Sequence, residues 1–195
     1  MTTTEQNQIV EACRAHLSMQ AHQDSKAVEV LVLKRHGSSG LTVQQLPVPD
    51  RLWEEYPPDT VITALADAAV LLGGAVTANA VAIALSYEGL AITSGASPQA
   101  DEVIRRYWAS GSIPSPADVP GRVHQRFASV VDRHGRHYLV PVEKRSADTA
   151  ALGLSIGDAD VMSGPAVEAL ATFAGAVWPH LMPDLGTPDT HHENF

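Results

Sequence analysis

The chain has 195 residues, 45% of them hydrophobic and 18% charged, with a formal net charge of -9. That length suits one domain, or one domain with an appended arm, and the apolar fraction excludes general disorder. An acidic body is repelled by nucleic-acid phosphates, which excludes general nucleic-acid binding.

Thr2 to Gln20 is predicted as an amphipathic helix. Thr2 and Glu5 have capping-box spacing, and Ile9, Val10, Cys13 and Leu17 recur at helical intervals. No basic segment leads into an apolar run here, so the expected location is cytoplasmic, without a signal peptide. Cys13 is the one cysteine, which excludes an internal disulfide and a cysteine-rich zinc site. It reads as a small core residue rather than a reactive thiol.

Val28 to Leu33 and Leu41 to Leu46 flank the breaker His36-Gly37-Ser38-Ser39-Gly40 and read as a β-hairpin. Pro47, Pro49, Pro57 and Pro58 make the next stretch irregular, with Trp53 and Tyr56 pinning it to the core. A helix is predicted from Asp59, its cap, to Leu72, with Val61, Ile62, Leu65, Ala69 and Leu72 inward. Gly73-Gly74 ends it. This pair is not a phosphate loop, because neither Gly-Lys-Ser/Thr nor a GxGxxG pattern is present.

The apolar stretch Ala64 to Ala84 is broken by Asp67, Gly73, Gly74, Thr77 and Asn79, so no membrane span is expected. Val81 to Leu85 and Leu90 to Thr93 around Tyr87-Glu88-Gly89 give a second hairpin signal. Ser97-Pro98 opens a helix over Gln99 to Ala109, with Val103, Ile104 and Tyr107 inward. Gly111 to Gly121 holds three prolines and reads as a loop.

The third hairpin is the clearest local signal. With His134-Gly135 as a two-residue turn, Arg133 faces Arg136, Asp132 faces His137, Val131 faces Tyr138 and Arg126 faces Glu143. Val123, Phe127, Val131, Tyr138, Val140 and Val142 then share one face. Leu152 to Ile156 reads as a strand. Gly164 to Val177 reads as a closing helix with Val167, Leu170, Phe173, Ala174 and Val177 inward. From Pro179 onward little is left to bury.

The order α-ββ-α-ββ-α-βββ-α predicts an α+β fold, an antiparallel or mixed sheet built from β-hairpins with helices packed on its faces. One domain is expected over residues 1–182, its first helix within 1–22, with 183–195 as a flexible tail.

Catalytic signals are weak. There is no GxSxG elbow, and Ser94-Gly95-Ala96-Ser97 reads as a strand-to-helix loop with a helix cap. Asp158 and Asp160 read as a turn, lacking the further oxygen ligands of a calcium loop. Nine histidines include no HExxH pair or Cys/His finger, so no metal and no cofactor is expected.

The strongest electrostatic feature lies between Gly121 and Arg145, where six basic residues meet two acidic ones, a local balance of +4. The candidate ligand- or partner-binding residues are Arg122, Arg126, Arg133, His134, Arg136, His137 and Arg145. The competing reading is a solvated hairpin edge, its charges satisfied by the cross-strand pairs Asp132–His137 and Arg126–Glu143. Such pairs stabilise by about 0.2–1 kcal/mol each.

Two resemblances add to this. Val131-Asp132-Arg133-His134-Gly135-Arg136-His137-Tyr138 resembles the Val-Asp-x-x-Gly-Arg-x-Tyr hairpin of a family of uncharacterised proteins of actinobacteria and their phages. The Tyr87-Glu88-Gly89 strand before it is similar in the same proteins, over Thr60 to Arg145. That resemblance implies no activity. Asp59 to Leu181, or residues 59–182 as a unit, resembles a GAF-like sensory domain in element order. Tyr138-Leu139-Val140-Pro141-Val142 is the most familiar piece. Such domains bind small ligands or dimerise through flanking helices. The arginine-rich strand before Asp132 departs from the pattern, and no ligand residue transfers.

The functional expectation is a non-catalytic binding domain for a protein partner or small anionic ligand, using the arginine-rich hairpin. A homodimer through the Thr2–Gln20 helix or the last helix fits the same reading. The alternatives are a small enzyme with a site in the 94–121 loops and a nucleic-acid-associated accessory protein using the Arg122–Arg145 hairpin. The last would lose affinity steeply with salt.

Overall fold

The computed structural model describes residues 3–21, 28–37, 40–72, 78–91, 97–110, 123–143, 155–156 and 165–181. The elements, in chain order, are α1 (Thr3–Ala21), β1 (Glu29–His36), β2 (Gly40–Gln45), α2 (Asp50–Glu55), α3 (Pro58–Leu72), β3 (Ala80–Ala91), α4 (Pro98–Ser110), β4 (Val123–Asp132), β5 (His137–Glu143), β6 (Ser155–Ile156) and α5 (Pro165–Val177). A 3-10 turn, Pro179–Leu181, follows. The fold is α+β. Six strands form one sheet in the order β2-β1-β3-β4-β5-β6, and every neighbouring pair is antiparallel.

Proline sets several helix starts. Pro58, Pro98 and Pro165 each stand at the first helical position, where a missing N–H is harmless and a fixed φ suits the turn. Ser97 caps α4, its Oγ accepting the Ala100 N–H at 3.0 Å, as the loop reading anticipated.

Alternation along β1 divides the core into two. Leu31 and Leu33 face α1, joining Ile9, Val10, Cys13 and Leu17, while Val30 and Val32 face the opposite layer with Ile62 of α3 and Leu170 and Phe173 of α5. The sheet is therefore sandwiched between α1 on one face and α3 with α5 on the other. Each large side chain so buried contributes about 1.5–3 kcal/mol. The helical stripe read in α1 is fully buried, Cys13 included.

Four expectations are corrected. Tyr87-Glu88-Gly89 is not a turn: β3 runs unbroken for 12 residues, and Tyr87, Glu88 and Gly89 pair with Phe127, Arg126 and Gln125 of β4. Continuous pairing with β4 from Ala82 to Ala91 overrides a local turn signal. The proline-rich stretch is not wholly irregular, because Asp50–Glu55 forms α2. Trp53 packs on the α3/α5-side core, while Tyr56 is 48% exposed.

The third correction is the β4–β5 register. Val131 faces His137, Val130 faces Tyr138 and Arg126 faces Val142, one residue away from the expected pairing. The loop has three residues rather than two. Asp132 O accepts the Gly135 N–H at 2.9 Å, Asp132 N donates to Arg136 O at 3.0 Å, and Gly135 takes φ +77. A β-turn followed by a left-handed glycine is the usual three-residue hairpin loop. A one-residue slip moves side chains between faces. Tyr138, Val140 and Val142 accordingly meet α1, whereas Val131 meets α3 and α5.

Last, the chain beyond Pro179 is not wholly loose. Leu181 packs on the α3/α5-side core, and His180 Nε2 lies 2.9 Å from the Arg133 carbonyl. The expected tail 183–195, the breaker Gly73-Gly74 and the Gly111–Gly121 loop lie outside the described residues.

Candidate functional site

β1 and β4 lie on either side of β3 and run in the same direction, so their C-terminal ends reach the same end of the sheet. A register irregularity at Leu33/Lys34 opens β3 there. Arg35 N then donates to Asn79 O at 2.9 Å, and Arg133 N donates to Val81 O at 2.9 Å. Two arginines are thereby anchored by their backbones to one stretch of β3, from its two flanks.

Their side chains converge on Glu5, in the first turn of α1. Arg35 Nη2 bonds Glu5 Oε1. Arg133 Nη2 lies 3.1 Å from Oε1 and 3.3 Å from Oε2, and His134 Nε2 lies 3.9 Å from Oε2. Glu5 is buried and shared between arginines of two segments, Arg35 of β1 and Arg133 of the β4–β5 turn, with His134 beside them. Thr2, its expected partner, lies outside the described residues.

Next to this notch sits Asp132, fully buried. Its Oδ1 accepts the N–H groups of His134 at 2.8 Å and Arg136 at 3.1 Å. Its Oδ2 accepts Arg136 Nε at 3.0 Å, Arg136 Nη2 at 2.8 Å and the Tyr138 hydroxyl at 2.5 Å. The Arg136 guanidinium also lies 5.9 Å from the Tyr138 ring centre, within cation–π range. Burial, and then the bond to Asp132, pushes the Tyr138 phenol up to about 12.

Arg126 belongs elsewhere. Seven positions along β4 span roughly 23 Å, and Arg126 is fully buried beneath the C-terminal half of α1. Its Nε donates to Ser86 Oγ at 3.1 Å, and its guanidinium lies 3.6 Å from both Glu29 and Glu88 carboxylates. Glu29 in turn contacts His16 Nε2 at 3.2 Å and accepts Gln20 Nε2 at 3.0 Å. This closed network fastens α1 to the sheet.

The seven candidate residues thus divide. Arg133, His134 and Arg136 gather at the hairpin tip, where they are 42%, 45% and 40% exposed in their side chains. Arg126 is an internal strut. His137 is buried and faces Val131 on the α3/α5 side; burial draws its imidazole below the ordinary value, against a raising influence from Asp132. Arg122 and Arg145 lie outside the described residues. The register differs from the expected one: His137 stands opposite Val131 rather than Asp132, and Glu143 opposite Gln125 rather than Arg126.

Sequence reading missed Glu5 and Arg35 as site members. Arg35 stands directly before the β1–β2 breaker, which could have marked it as a sheet-end residue, but no sequence signal links it to residue 5.

Elsewhere, an open groove of about 290 Å³ between α2 and α3 is lined by Leu52, Tyr56, Thr60, Val61, Ala64 and Leu65. Only two hydroxyls there could orient a ligand. Among the described residues no cluster of three His, Cys, Asp or Glu could hold a metal, and no helix is long and apolar enough to cross a membrane. Half of the 94–121 region, residues 94–96 and 111–121, lies outside the described residues, and the rest is α4 with its cap. No family model, curated protein or solved structure matches the chain.

Proposed function

We propose that the chain is a non-catalytic binding domain that takes an anionic group, from a small ligand or an acidic protein partner, at the hairpin-tip end of the sheet. The observation that carries this reading is the gathering of Arg35, Arg133, Arg136 and His134 around two carboxylates, Glu5 and Asp132, on a chain of net charge -9. Three guanidiniums against two acids leave a local positive excess. Their side chains are a third or more exposed, so an incoming anion can reach them. Resemblance in element order to GAF-like domains points the same way, since such domains bind small ligands.

The test is calorimetric titration with inorganic pyrophosphate and, separately, with a tetraglutamate peptide. At least one is expected to bind, more weakly as salt rises. Arg133→Ala should weaken binding about tenfold, equivalent to 1.4 kcal/mol, with an unchanged circular dichroism spectrum. Absence of binding by both probes would sink the proposal.

A further inference from the structure

Glu5 lies in the first turn of α1, and that turn reaches the sheet end through this side chain. The Glu5 side chain is 10% exposed, between Arg35 and Arg133, themselves 33% and 42% exposed in their side chains. One carboxylate therefore faces two guanidiniums, with His134 at 3.9 Å as a third neighbour. One donor in the notch is left over: the Arg133 Nε is buried without a hydrogen-bond partner. A carboxylate has two oxygens and one charge. The notch presents more donors and more positive charge than that group can satisfy.

Resting on the binding reading above, we propose that Glu5 holds the seat of a phosphoryl group, and that a phosphate-bearing ligand enters by displacing the Glu5 carboxylate. A phosphoryl group brings three acceptor oxygens and a charge of about -1.5 to -2 at neutral pH. It can take both guanidiniums and the spare Arg133 Nε together, with the bidentate geometry arginine favours. The ligand and the first turn of α1 then compete for one site. Binding releases Glu5 to solvent and loosens the helix start, so the notch is occupied by its own chain until a stronger anion arrives.

Two measurements decide this. Removing the internal competitor by Glu5→Gln should raise affinity for inorganic pyrophosphate about tenfold in titration, a gain of 1.4 kcal/mol by the affinity relation. In the unaltered protein, saturating pyrophosphate should speed hydrogen exchange at the amides of Asn7 to Val10, the first ones bonded within α1. This second arm stands even where Glu5→Gln fails to fold. Equal or weaker pyrophosphate binding by a folded Glu5→Gln would overturn the proposal, as would unchanged exchange at saturation. Tetraglutamate binding tighter than pyrophosphate would overturn it while leaving the general binding reading in place. If neither probe binds the unaltered protein, that reading fails first.

Discussion

The hydroxyl of Tyr138 lies 2.5 Å from Oδ2 of Asp132, and both residues are fully buried. The same carboxylate accepts four further bonds, from the backbone N–H groups of His134 and Arg136 and from two Arg136 side-chain nitrogens. Asp132 is thus the keystone of the β4–β5 turn. Asp132→Ala strands a buried phenol and frees the loop, and it is expected to destabilise the protein by about 3–5 kcal/mol. Urea unfolding measures this; a loss below about 1 kcal/mol would show that the cluster is replaceable.

Arg126→Ala should be equally severe, because it removes a buried guanidinium that lies 3.6 Å from the carboxylates of both Glu29 and Glu88. A loss of about 3–5 kcal/mol is expected. Combining Arg126→Met with Glu29→Gln should be milder than the sum of the two single changes, since the uncompensated charge is removed along with its partner. Additive effects in the double-mutant cycle would contradict this coupling.

Gly135 sits at φ +77, and a Cβ there would approach Leu181 Cδ2 to 3.4 Å. Gly135→Ala is expected to destabilise by about 1–2 kcal/mol through the left-handed backbone alone. Gly135→Asn, which tolerates that conformation better, should lose less. Thermal melts of the two variants supply the comparison, and an alanine variant as stable as asparagine would argue that the loop relaxes to another turn.

The alkaline limit of stability should trace to Tyr138. Its phenol is pushed up to about 12, first by burial and then by the bond to Asp132. An unfolded tyrosine loses its proton near pH 10. The unfolded chain therefore releases a proton that the native chain keeps, so this stabilisation is whole below about pH 10 and fades toward pH 12. Tyr138→Phe removes that titration. The slope of stability against pH between 10 and 12 should be shallower in the variant; an identical slope would refute the assignment.

Cys13 should be chemically silent in the native state. It is fully buried, and burial raises its thiol to about 12, so almost no thiolate exists at neutral pH. Iodoacetamide labelling is expected to proceed only as fast as the protein opens and to accelerate with urea. Rapid labelling of the folded protein would show that α1 separates from the sheet readily.

The fold was legible where period alone decides. The α1 stripe, the β1–β2 hairpin and the closing helix follow from spacing, and Ile9, Leu17, Leu170 and Phe173 are buried as that spacing requires. Tyr87-Glu88-Gly89 misled because its turn-like composition carries no trace of β4, whose Arg126 sits directly opposite Glu88. The β4–β5 register hinged on a single fact that spacing leaves open, whether the loop holds two residues or three. At the site, Arg133, Arg136 and Asp132 were visible in one run of charge, but Arg35 and the shared carboxylate of Glu5 were not. Glu5 lies 128 residues from Arg133 in the chain, and only the folded sheet brings the two together.

The strand order has a consequence for how the chain can assemble. Apart from the step in which β3 lies against β1 instead of β2, each strand settles beside the one made just before it. A sheet of that kind can be extended edge by edge as the polypeptide leaves the ribosome. No early strand must wait with both flanks bare for a partner encoded near the far terminus.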